Sequence, residues 1–172
     1  MPIVSVDKDF DNHTLTVVAD YDSPVERVWQ LYADPRQLER FWGPPTWPAT
    51  VVDHDLSPGG RVTYFMRGPD GEKSAGYWEV LEVEPPRRFL VEDGFADDSG
   101  QPNTEMPKMR MEFTFVARAG GGTTMTVVTT FSSREALEQL ASMGMEEGMR
   151  LAMGQIDTVL AETSSRPGER RS

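Results

Sequence analysis

His54 sits between Asp53 and Asp55 in the run VVDHDL, and an imidazole beside two carboxylates is metal-ligand chemistry. The run reads as a strand, however, and successive strand side chains point to opposite faces. Asp53 and Asp55 then share a face that His54 does not, so the three diverge and no metal is expected. The other histidine, His13, lies in a polar N-terminal segment and reads as a surface residue. The chain has no cysteine, which excludes disulfides, thiolate metal sites and a Cys nucleophile. No H-E-x-x-H, Walker loop, G-x-G-x-x-G or G-x-S-x-G pattern occurs. The glycines at 59–60 and 120–122 read as hairpin turns, and no cofactor is expected.

Acid–base chemistry needs a titratable side chain held in a pocket. Candidates are Glu79, Tyr64 and Tyr77, and their standing depends on one strand, SAGYWEVLEVE (74–84). One register turns Tyr77, Glu79, Leu81 and Val83 inward; the other turns Trp78, Val80 and Glu82 inward. Alternation alone leaves both open. Glutamate on a strand is more often exposed. Buried beside Tyr64 or Tyr77, Glu79 would gain a raised pKa and an acid or base role.

Large apolar side chains are the other resource. Residues 41–49, FWGPPTWPA, place Trp42 and Trp47 in a stretch that Pro44, Pro45 and Pro48 make stiff and irregular. These tryptophans either cap an apolar interior as a lid or cover the end of the core. Ten methionines is a high count. Met109 and Met111 alternate with polar residues in KMRMEFTFVA, while Met143, Met145, Met149 and Met153 recur along a helical segment. Methionine suits irregular gaps and permissive apolar pockets, though it also serves as ordinary core filling.

The elements that position these residues follow from pattern. TLTVVAD (14–20) reads as a strand. Ser23 as N-cap, Pro24 at the first helical position and Glu26 in a capping box start a helix over 24–33. Asp34-Pro35 starts a second, to about Arg40. Six strands follow, at 49–56, 61–67, 74–84, 87–93, 108–117 and 123–131, with a long polar loop over 94–106. Residues 133 to about 162 carry a helical apolar stripe, on the order of 40 Å long at 1.5 Å per residue. Gly144, Gly148 and Gly154 within it imply close packing, a bend, or space left for something else. The expected fold is α+β, with about seven antiparallel strands curled round one long C-terminal helix.

The 172 residues form one expected domain, 1–163, followed by a disordered tail, 164–172, rich in arginine. Net charge is −11, from 28 acidic against 17 basic residues, which argues against a nucleic-acid partner. No apolar run reaches membrane-span length, and the N-terminus does not read as a secretory signal, so a cytoplasmic location is expected.

SPVERVWQLYADPRQLERFWGP (23–44), LSPGGRV (56–62), EVLEVEPPRRFLVED (79–93) and MGMEEGM (143–149) together resemble the START/Bet v 1-like (SRPBCC) superfamily. Within it they are most similar to AHSA1-type domains, named for the activator of Hsp90 ATPase, over roughly residues 12–162. The resemblance implies a helix-grip fold with an apolar cavity between sheet and C-terminal helix. It would place Trp42 and Trp47 over the cavity mouth. Tyr64, Met66, Trp78, Met109, Met111, Phe113, Val127, Met145 and Met149 would form the walls.

The function expected is binding of a hydrophobic or aromatic small molecule, without a recognisable catalytic constellation. One alternative is a cyclase- or hydrolase-type enzyme, polyketide cyclase-like, using a cavity Glu or Tyr. Another is an Hsp90-activator-like interaction domain, although 172 residues leave no room for that protein's separate N-terminal domain. The acidic face and the 94–106 loop leave a second copy of the chain, in a homodimer, as a further partner.

Overall fold

The computed structural model describes residues 3–97, 99–103, 105–106 and 108–164. From residue 165 on, the expected tail lies outside the described residues. Eight strands form one antiparallel sheet. Its order is β1 (Ile3–Asp9), β2 (Thr14–Tyr21), β8 (Thr123–Phe131), β7 (Met109–Ala117), β6 (Arg88–Ala96), β5 (Lys73–Glu84), β4 (Arg61–Arg67) and β3 (Ala49–His54). Helices α1 (Val25–Ala33) and α2 (Pro35–Trp42) connect β2 to β3. That connection carries the chain from one end of the sheet to the opposite edge. After β8 come α3 (Arg134–Ser142), α4 (Met145–Met153) and α5 (Ile156–Ser164). The sheet is curved and open, and the arrangement is the helix-grip fold. Among the described residues no helix is long and apolar enough to cross a membrane.

Three local expectations change. β1 adds a strand: its residues IVSVDKD are mostly exposed, so the sequence carries little apolar alternation to announce it. Ser23 does not cap α1; Pro24 holds the N-cap position without a side-chain bond, and the Ser23 carbonyl instead accepts from Thr123 Oγ1 at 2.7 Å. Asp34 caps α2, accepting from the Arg36 N–H, and Ser133 likewise caps the helix after β8, accepting from the Ala136 N–H. The expected 94–106 loop is shorter, because β6 continues through Ala96 and Ala96 bridges to Pro102.

The C-terminal helix is three helices in series. Gly144 takes a φ of 86°, in the left-handed region that glycine enters without steric cost. α3 therefore ends in a tight turn, with the Gly144 N–H donating to Ala141 O at 3.0 Å. The second break is mild: Gly154 keeps helical dihedrals (φ −63°, ψ −19°) and only the local bonding pattern shortens.

Core packing is uneven along the sheet. Phe89 and Phe113 stack at 4.4 Å and 14°. Tyr32 of α1 packs against Phe41, Phe89, Phe113 and Phe115. Trp78 completes this cluster, fully buried against Phe89 and Trp42. Burying each such side chain is worth about 1.5–3 kcal/mol, so the aromatic half anchors the fold. β7 is as regular as its sequence, with Met109, Met111, Phe113 and Phe115 buried on one face. Toward Met109 and Met111 the aromatic filling gives way to methionine, and the packing opens.

Candidate functional site

A cavity of about 290 Å³ occupies the methionine half, between the inner sheet face and the helices. Its floor comes from β7 and β8, through Met109, Met111, Phe113 and Val127. β4 supplies Tyr64 and Met66, and β6 supplies Asp93 and Phe95. Phe41, Trp42 and Pro44 close one side from α2 and the segment after it. α4 covers the space with Met145, Gly148, Met149, Ala152 and Met153. Exposed Met143 and Gly144 also line it, so the cavity reaches the surface at the turn between α3 and α4. Seven methionines in all form the wall. Their unbranched side chains adapt their shape at little cost.

The cover is fastened at both ends. Gln155 Nε2 donates to Gly43 O at 2.7 Å, which ties the α4–α5 junction to the proline-rich segment. Lys8 pairs with Glu146 at 2.7 Å, which ties the start of α4 to β1. Gly148 faces open space: a Cβ added there would meet nothing within 4 Å. Of the three explanations open for this glycine, space left at the cavity fits; close packing does not.

One polar pair interrupts the apolar wall. Asp93, 7% exposed, accepts a hydrogen bond from the Tyr64 hydroxyl at 3.0 Å. Burial pushes its carboxyl up to about 7, against hydrogen bonds from Tyr64 and the Gly94 N–H that favour the charged form. The Tyr64 phenol is pushed well above its ordinary value, by burial first and then by the Asp93 charge. Trp42 acts the other way, favouring the phenolate. Its indole Nε1 nevertheless stops short of hydrogen-bond geometry and has no partner among the described residues. Apart from tyrosines, Asp93 is the only ionisable residue among the described residues of the lining.

The pair depends on glycine. Tyr64 pairs with Gly76 of β5, and Gly76 pairs with Phe95 of β6. A Cβ at Gly76 would run into the Tyr64 hydroxyl, so the ring lies across β5 where no side chain stands. The outer face repeats the device: a Cβ at Gly94 would fall 2.8 Å from the Tyr77 ring.

Nine of the eleven side chains expected to touch a ligand line the cavity; Trp47 and Trp78 do not. Trp47 turns toward the β4–β5 hairpin, where a Cβ at Gly68 would meet its ring at 2.6 Å. Trp78 is inward-facing but lies behind the wall, in the aromatic cluster. A bulge in β5 after Val80 leaves Glu82 exposed and brings Val83 against the core, so neither register holds along the whole strand, but Trp78 and Val80 both turn inside. Glu79 therefore points outward, paired with Arg61 at 3.1 Å and close to half exposed. Tyr77 is on that same outer face under the Arg61 guanidinium, 5.5 Å from the ring centroid. Neither can act in the cavity, and of the three acid–base candidates only Tyr64 reaches it. His54 Nε2 lies 2.8 Å from Tyr32 O, joining β3 to α1. Asp93 stands outside the sequence candidates, although Phe89, Val91 and Asp93 fall on one face of a strand by simple alternation.

The model of the family described as activator of Hsp90 ATPase homolog 1-like protein matches residues 22–161. The chain belongs to this family. Among solved structures it is 55% identical to protein Ms6760 from Mycobacterium smegmatis. That match covers 92% of this chain and 97% of the other, with a TM-score of 0.86. It is 46% identical to a protein from Arthrobacter aurescens whose structure was determined in solution, covering 92% of each chain with a TM-score of 0.88. DynU16, a putative protein of the dynemicin biosynthetic locus, shares the fold alone, at 21% identity and a TM-score of 0.63. This chain covers 86% of its own length and 47% of DynU16 in that match. No curated protein matches the chain.

Proposed function

We propose that this AHSA1-family chain binds a compact hydrophobic or aromatic small molecule in the cavity between sheet and helices. The observation carrying this reading is a space of about 290 Å³, open at the α3–α4 turn and walled by seven methionines. Ligand pockets run from about 300 Å³ upward, so the volume suits a molecule of one or two rings. Apolar burial at about 25 cal/mol per Å² supplies most of the affinity. The family's fold fits a ligand-binding role of this kind. The enzymatic alternative is weakened by the outward direction of Glu79 and Tyr77. A co-chaperone role has only the family description in its favour.

Trp42 lines the cavity and Trp47 does not, which supplies the test. Apolar one- and two-ring compounds are titrated into the protein while tryptophan fluorescence is followed. The expected response is quenching that Trp42→Phe diminishes and Trp47→Phe leaves in place. Silence across a broad panel, or quenching indifferent to Trp42, rejects the reading.

A further inference from the structure

The binding reading leaves Asp93 and Tyr64 without a task. A carboxyl in a methionine-lined cavity gains nothing from packing there, and losing its hydration is costly. Among the described residues its single side-chain partner is the Tyr64 hydroxyl at 3.0 Å. That hydroxyl has one proton, and it is spent on Asp93 Oδ1. In the ionised form, which prevails above about pH 7, the pair offers a ligand acceptor capacity alone: lone pairs on the Asp93 carboxylate and on the phenol oxygen. The remaining buried donor nearby, Trp42 Nε1, has no accessible surface from which to serve an incoming molecule.

Charge narrows the choice further. Among the described residues, the lining holds no Lys, Arg or His to receive an anion. A carboxylate-headed molecule, such as a fatty or aromatic acid, would put its charge beside Asp93 with no cation to offset it. The hydrocarbon alone would leave the carboxyl facing an apolar surface. A head that donates a hydrogen bond satisfies the pair and adds no negative charge.

We propose that Asp93 and Tyr64 form the polar end of the site, selecting apolar molecules headed by a hydroxyl or amino group over carboxylates and unsubstituted hydrocarbons. The selection rests on the cavity being a ligand site, and the experiment separates the two claims. Naphthalene, 1-naphthol, 1-naphthylamine and 1-naphthoate share one ring system and differ in the head. Their binding is measured by equilibrium dialysis at pH 8, with wild-type protein, Asp93→Leu and Tyr64→Phe, each variant first checked by thermal melting.

In the wild type, naphthol and naphthylamine bind about tenfold more tightly than naphthalene, the gain expected for one hydrogen bond to a charged acceptor. Naphthoate binds most weakly. Asp93→Leu brings naphthol, naphthylamine and naphthalene within about twofold of one another and lets naphthoate in. Tyr64→Phe, which keeps the ring, narrows the preference without removing it and decides the matter if Asp93→Leu does not fold. Naphthalene and naphthol binding equally, naphthoate binding best, or a preference untouched in both variants overturns the anchor while leaving the cavity reading intact. Retention of none of the four compounds overturns both.

Discussion

The Tyr64 hydroxyl reaches Asp93, 3.0 Å away, across a strand whose intervening residue, Gly76, has no side chain. Three adjacent strands thus contribute one residue each to a single arrangement: an aromatic donor on β4, a gap on β5 and an acid on β6. A side chain at position 76 would displace the ring and strand the carboxyl together.

Gly76→Ala is expected to destabilise the protein by about 1–3 kcal/mol, the usual cost of overpacking a filled site. Most of that cost should vanish in a Tyr64→Ala background, because the two residues share one volume. Chemical denaturation of the four proteins in this cycle measures the coupling. Simple additivity would contradict the contact.

Asp93 gives the stability a pH dependence of definite sign. An unfolded chain releases this proton near the ordinary value of 3.8, whereas the folded protein holds it to about 7. Between those values the folded state binds more protons, so this group's contribution falls as pH rises and levels off above 7. At about 1.4 kcal/mol per pKa unit the full loss is roughly 4 kcal/mol. Asp93→Asn has no such proton to release. Denaturant titrations at pH 4, 6 and 8 should show wild type losing ground to the variant with rising pH; a constant gap would contradict the buried acid.

Much of this architecture is legible in the sequence, and the exceptions have physical causes. β7 is plain because its methionines and phenylalanines alternate with Arg110, Glu112 and Thr114, and the Asp34 cap because side chain and backbone lie two residues apart. Trp78 and Trp42 are indistinguishable as letters, since which of them fills the core depends on volumes summed over several strands. Asp93 and Tyr64 are 29 residues apart, and only strand pairing brings them together. The break at Gly144 is a backbone choice that helical periodicity does not register, because the apolar stripe runs straight through it.

Gly148→Ala should stabilise α4 by about 1 kcal/mol, the propensity difference in a helix interior, since the added methyl meets nothing within 4 Å. Thermal melting checks this. A loss of stability would mean that the glycine is held by packing rather than by open space.

Glu79→Gln should change stability by less than about 0.5 kcal/mol, because the Arg61 pair is exposed. Binding of the naphthalene probes should be unaltered. An effect on binding would place the side chain inside and contradict the register of β5.

The cover α4 is a nine-residue piece bounded by Gly144 and Gly154, fastened through Gln155 to Gly43 and through Glu146 to Lys8. It contributes a large share of the wall yet no strand pairing. Substitutions confined to this short piece would therefore reshape the cavity wall while leaving the pairing of all eight strands untouched.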